Sequence, residues 1–159
     1  MMEIVLIPMV AAAALSDFRT RRIPNWIPVS GAALGFVLHV WNGGVYGALS
    51  SLAGAALGLG IFMVLYIAGG MGAGDVKLFS AIGASVGPHA LIYVFICTGL
   101  LGGIAAAALA ISRGRLRETL QKTQALAHGI RTAPTPDSLR LPYGAVIAGG
   151  TLLSFLVVK

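Results

Sequence analysis

The chain has 159 residues and a mass of 16.3 kDa; 57% of its residues are hydrophobic, only 10% are charged, and the mean hydropathy is +0.90. A soluble domain carries roughly 25% charged residues, so 11 basic and 5 acidic side chains are too few to cover a water-soluble globule of this length. That excludes an ordinary cytosolic enzyme, a disordered tail and a nucleic-acid-binding domain; the pI near 10.1 reflects sparse basic residues between long apolar runs, the pattern of a protein whose partner is the lipid bilayer.

The first apolar run, 4–16, follows Met1-Met2-Glu3. A secretory signal begins with a basic segment, so this run is expected to be a retained helix, although Ala11 to Ala14 imitate a cleavage site. Arg19, Arg21 and Arg22 come next. Residues 26–74 carry no Asp, Glu, Lys or Arg, which is room for two crossings with Asn42-Gly43-Gly44 as the turn between them. Residues 78–112 are again uncharged, broken at Val86-Gly87-Pro88-His89. A polar, basic stretch runs over 113–140, and a last apolar run, 141–158, ends at Lys159. At about 20 apolar residues per crossing, six crossings use roughly 120 residues. The expected fold is an all-α polytopic membrane bundle of about six transmembrane helices, a single domain over 1–159.

The charges orient it. With six crossings the connections 17–25, 70–77 and 113–140 lie on one face and hold ten of the eleven basic residues, leaving Lys159 on the other. Basic connections stay in the cytoplasm, so both termini are expected on the outer side of the membrane. The fourth crossing is short: 76–86 rises only about 17 Å as a helix against a hydrocarbon core of roughly 30 Å, so it is expected to begin below the membrane surface, inside the protein.

Within 113–140, residues 113–131 form a polar helix candidate with Leu116, Leu120, Ala127 and Ile130 near one face and Glu118 and Lys122 as an i,i+4 pair. It is read as a basic connector lying against anionic headgroups, followed by a proline-containing loop over 132–138. Among 22 glycines, Gly54-x-x-x-Gly58 and Gly99-x-x-x-Gly103 have helix-contact spacing. Cys97, the single cysteine, cannot build a disulfide or a multi-cysteine zinc site and is read as a packing residue. His39 is read as a packed or interfacial histidine.

Of three aspartates, Asp137 lies in the polar connection, whereas Asp17 and Asp75 end the first and third apolar runs at one membrane border. Acids at such a depth are costly and usually functional. Two carboxylates sharing one proton can hydrolyse a peptide bond without metal or cofactor: one takes a proton from water, the other donates to the scissile carbonyl. Gly72 and Gly74, lacking side chains, admit an extended substrate backbone. Structural alternatives stand beside this reading: Asp75 as N-cap of the next helix, Asp17 paired with Arg21, Pro24 as a helix-start residue and the glycines as a turn.

The motifs resemble a known family. Gly72-Ala73-Gly74-Asp75-Val76-Lys77-Leu78 is similar to the GxGDxKL form of the GxGD signature in type IV prepilin peptidases; Asp17 with Arg21-Arg22-Ile23-Pro24-Asn25 resembles the first catalytic aspartate and its downstream stretch; and Leu141-Pro142-Tyr143-Gly144 resembles the family's Pro-aromatic-Gly motif. The resemblance implies a peptidase that removes the basic leader of prepilins on the cytoplasmic side. Asp17 and Asp75 would be the catalytic pair, and Gly72, Gly74, Lys77, Pro24, Asn25, Pro142, Tyr143 and Gly144 would form the surrounding active-site and substrate-binding segments. Lys77 is a candidate for tuning the acids, although two residues from Asp75 it leaves an ideal helix on another side. Larger bifunctional relatives carry paired cysteines and a cytoplasmic domain early in the chain and also methylate the new N-terminus. With only residues 18–25 between the first two runs, methyltransferase activity is not expected, and the short form resembles peptidases of Flp or Tad-type pili. The competing reading is a non-enzymatic membrane subunit, either proton- or ion-coupling or a pilus-assembly scaffold. The sequence carries no signature of oligomeric state.

Overall fold

The structure, a computed structural model, describes residues 2–20, 22–68, 71–112 and 143–157. The basic connector, its candidate helix, Arg21 and Pro142 lie outside these residues. The expectation of an all-α fold holds. Helix α1 spans Met2–Thr20, α2 Trp26–Ile67, α3 Ala73–Ser112 and α4 Tyr143–Val157.

The two long helices each reverse direction at a glycine with left-handed backbone: Gly44 (φ 55°, ψ −132°) in α2 and Gly87 (φ 79°, ψ 172°) in α3. A residue with a Cβ rarely adopts such φ values, which is why glycine stands at both turns. The reversal in α3 is plain from its aromatic rings. Phe79 and Phe95 would lie about 24 Å apart along a straight helix, yet their ring centroids are 6.3 Å apart. The reversal in α2 likewise brings Gly47 against the carbonyl of His39. Among the described residues, six helical segments therefore follow one another along the four helices.

The first segment of α3, 73–86, rises only about 21 Å and is the most enclosed stretch among the described residues, with Val76, Leu78, Phe79, Ala81, Ile82, Ala84 and Ser85 all buried. Glycines let its neighbours approach. Gly54 and Gly83 face each other backbone to backbone, Gly58 abuts the Phe79 carbonyl and Gly35 abuts Ser85. A segment sheathed by protein has no lipid thickness to match, which is the physical reason that it can be short.

The carbonyls freed where this segment ends at Gly87 are taken up by side chains: Ser51 Oγ donates to the Ala84 carbonyl (2.7 Å) and His39 Nε2 to the Ser85 carbonyl (3.1 Å). His39 thus serves as a helix-end partner, in keeping with a packed histidine, and Cys97 is buried. One expectation fails. Gly54 and Gly58 do pack a neighbouring helix, but Gly99 and Gly103 face open space; α3 packs α4 instead through Leu101, Gly102 and Thr98, against Gly149, Val146 and Gly150. The spacing is the same, but the contact depends on which side of the helix turns inward.

Two helices, Trp26–Ile67 and Ala73–Leu109, contain windows long and apolar enough to cross a membrane, and little of those windows is buried.

Candidate active site

Asp17 sits in the last turn of α1 and Asp75 in the first turn of α3. This corrects the expectation that both lie in connections, because both helices extend further than the apolar runs: hydrogen-bonding geometry, not hydropathy, ends them. An acid near a helix C-terminus opposes the helix dipole. Asp17 escapes that penalty by turning towards another helix: its Oδ2 accepts the backbone N–H of Gly144, at the N-terminus of α4, at 2.9 Å. A Cβ on Gly144 would lie 3.0 Å from the Asp17 carboxylate and Cβ. Gly144 therefore belongs to the site because only glycine lets α4 approach α1 this closely.

Asp75 is not the N-cap of α3. The helix begins at Ala73, so Gly72 is the cap and Asp75 the third helical residue, from which its Oδ2 reaches back to the Gly72 N–H at 3.3 Å. That is the acidic half of a capping box, so the structural alternative is realised in a different form, using one carboxylate oxygen. Gly72 is exposed, whereas the space left by the missing side chain of Gly74 is occupied by Ile23, 3.3 Å from where a Cβ would stand. Gly74 thus admits the chain's own 22–25 link.

Asp17 and Asp75 are both buried, 8% and 9% exposed, and lie close enough to repel one another electrostatically. Tyr143, half-buried at the start of α4, also feels the charge of Asp75. One end of the bundle thus collects the end of α1 and the starts of α3 and α4, bringing Asp17, Gly72, Gly74, Asp75, Tyr143 and Gly144 together.

Lys77 donates from Nζ to Asn25 Oδ1 at 2.9 Å. Asn25 is the N-cap of α2 but makes no side-chain cap bond, and the carbonyl of the half-buried Pro24 accepts the Ile27 N–H at 3.1 Å. Sequence reasoning missed Ser16 and Thr20, whose hydroxyls both reach the Arg22 carbonyl, at 2.9 and 3.1 Å. Their i,i+4 spacing beside Asp17 was the available signal.

Residues 4–107 match the type IV leader peptidase family, a stretch that contains both acids and the Gly72–Asp75 turn. The chain belongs to that family. It is also 31% identical, over 162 aligned residues and 96% of its length, to the prepilin leader peptidase/N-methyltransferase of Bacillus subtilis (strain 168). The match takes in 54% of that relative, so this leader peptidase family member spans about half the length of the curated protein. No solved structure matches the chain significantly.

Proposed function

We propose that this protein is an aspartyl endopeptidase of the bacterial inner membrane that removes the basic leader from type IV prepilin-like substrates and does not methylate the product. The observation that carries the reading is the pairing of two buried carboxylates, Asp17 and Asp75, delivered by separate helices to one end of the bundle in a chain of the leader peptidase family.

In this reading the six helical segments cross the membrane, with the acid-bearing end at the cytoplasmic border and both termini outside. The low burial of the apolar helices and the concentration of basic residues in the connections at the acid end support it. The apolar helix of the substrate enters from lipid and the leader stays in the cytoplasm. The basic face of the enzyme offers that leader no long-range attraction, so the acid pair supplies the local negative charge.

The pair works with one shared proton. Asp17, held by the Gly144 N–H at a helix N-terminus, is suited to carry the charge and takes a proton from water as the oxygen attacks the scissile carbonyl. Asp75, the other acid of the pair, carries the shared proton and donates it to the carbonyl oxygen. As the resulting gem-diol collapses, Asp17 gives the proton it took from water to the departing nitrogen and Asp75 takes back a hydroxyl proton. The C–N bond breaks, the leader leaves with a carboxyl end and the product with a new N-terminal amine, and the pair again holds one proton. The reading without methyl transfer is supported by the single cysteine, Cys97, which cannot supply the paired cysteines of the bifunctional relatives.

The test is cleavage of a purified prepilin by detergent-solubilised protein. Asp17→Asn and Asp75→Asn are each expected to abolish cleavage while the fold persists; retained cleavage in either variant removes that residue from the catalytic pair.

A further inference from the structure

The two acids belong to helices that pack against each other only slightly; α4 packs against both, and a second connection bears on their spacing. The link between α1 and α2 is anchored on both sides. Towards α1, the hydroxyls of Ser16 and Thr20 converge on the Arg22 carbonyl, one residue and three residues from Asp17. Towards α3, Ile23 fills the space beside Gly74, the residue before Asp75, and Asn25 accepts the hydrogen bond of Lys77, two residues after it.

Asparagine is among the best N-cap residues, yet Asn25 occupies the cap of α2 without a side-chain cap bond. Its hydrogen-bonding capacity is directed to α3 instead. Lys77 and Asn25 are both exposed, where a single hydrogen bond adds little to stability, about 1 kcal/mol or less. A bond of so little value to the fold, placed next to the acid pair, has its effect through geometry.

We propose that residues 22–25 act as a strap that registers α1 against α3, and that Lys77 and Asn25 are positioning residues whose hydrogen bond fixes the separation of Asp17 and Asp75. The proposal rests on the peptidase reading for its catalytic consequence but not for its geometry. Lys77 then neither touches substrate nor tunes the acids directly.

Two measurements test it. In prepilin cleavage, Lys77→Met and Asn25→Leu should each lower kcat by about tenfold to a hundredfold, the scale of a 1 Å misplacement, with KM little changed. Lys77→Arg, which keeps a donor, should recover much of the loss. The double variant should be no worse than either single variant, because both remove one shared bond. A rise in KM without loss of kcat would make Lys77 a substrate contact, and additive losses would show that the residues act separately; either result overturns the proposal. The second measurement needs no catalysis. Spin labels at Leu15→Cys and Ala73→Cys, in a Cys97→Ala background, should show a narrow distance distribution that broadens or shifts in Lys77→Met and Asn25→Leu. An unchanged distribution overturns the strap even if the protein is a peptidase, and a changed one upholds it even if prepilin is not cleaved.

Discussion

The backbone N–H of Gly144 lies 2.9 Å from the carboxylate of Asp17, a hydrogen bond that joins residues 127 positions apart and ties the last helix to the first. The bond fixes the start of α4 against the end of α1 and so brings Tyr143 to the end of the bundle that holds both acids. It also explains why asparagine is the right substitution for testing Asp17, since the amide oxygen still accepts from Gly144, whereas Asp17→Leu leaves that N–H without its partner. Asp17→Asn is expected to keep an unfolding midpoint near that of the parent in detergent, and Asp17→Leu to lose about 1.5–3 kcal/mol, the range for hydrogen bonds to charged groups.

Gly144→Ala tests the same contact from the other side. The added methyl would stand 3.0 Å from the carboxylate, so α4 must retreat or Asp17 must rotate. The expected result is a fall in kcat/KM for prepilin cleavage of about tenfold or more, with a much smaller change in thermal midpoint. Parent-like activity would show that Asp17 needs no fixed orientation.

The glycines divide into two groups with opposite expected signs. Gly54→Val and Gly83→Val place a side chain into the backbone-to-backbone contact between α2 and α3 and should destabilise by about 1–3 kcal/mol through overpacking. Gly99→Ala and Gly103→Ala meet nothing and should be neutral or stabilising by up to about 1 kcal/mol each, from helix propensity. Unfolding midpoints in one detergent separate the two groups.

That contrast shows what the sequence could and could not reveal. Features set by neighbouring residues were legible: charge-free runs marked the apolar helices, Asn42-Gly43-Gly44 and Val86-Gly87-Pro88-His89 marked the reversals, and the two acids stood out because they are the carboxylates that end apolar runs. Features set by which side of a helix turns inward were not. Gly54-x-x-x-Gly58 and Gly99-x-x-x-Gly103 look alike in one dimension, and only packing distinguishes them. The bonds Asp17–Gly144 and Lys77–Asn25 join distant parts of the chain, so no local pattern announces them. The helix ends were misjudged for a related reason, since Asp17 and Asp75 are polar enough to read as loop residues but are carried inside helices by partners that local sequence does not show.

Thr98 offers a case where losing a polar group should help. Its side chain is 6% exposed, lies against Gly150 of α4, and its buried hydroxyl oxygen has no hydrogen-bond partner among the described residues. Thr98→Val keeps the shape and removes the unpaired group, so it should stabilise the protein by about 1 kcal/mol. Ser51→Ala is the opposite experiment. It strips the donor from the Ala84 carbonyl at the end of the enclosed segment of α3, leaving a buried acceptor unpaired, and should cost about 1–3 kcal/mol. Both are read from detergent unfolding midpoints; destabilisation by Thr98→Val would mean that its hydroxyl has a partner beyond the described residues.

The orientation of the bundle is open to a direct chemical test. The end of α1 and the starts of α3 and α4 meet at the acid site, so Thr20 belongs to the same end as Asp75, while the reversal at Gly44 belongs to the other. Gly43 is the better reporter there: it faces open space and, unlike Gly44, does not need a left-handed backbone. In a Cys97→Ala background, Thr20→Cys and Gln124→Cys should react with a membrane-impermeant thiol reagent only after the cytoplasmic side is opened, and Gly43→Cys in intact cells. Labelling of Gly43→Cys and Thr20→Cys from the same side would place the turn and the acids at one border, and six crossings would then be excluded. Reversed labelling would keep the six crossings but put the acid pair outside, away from any cytoplasmic leader peptide.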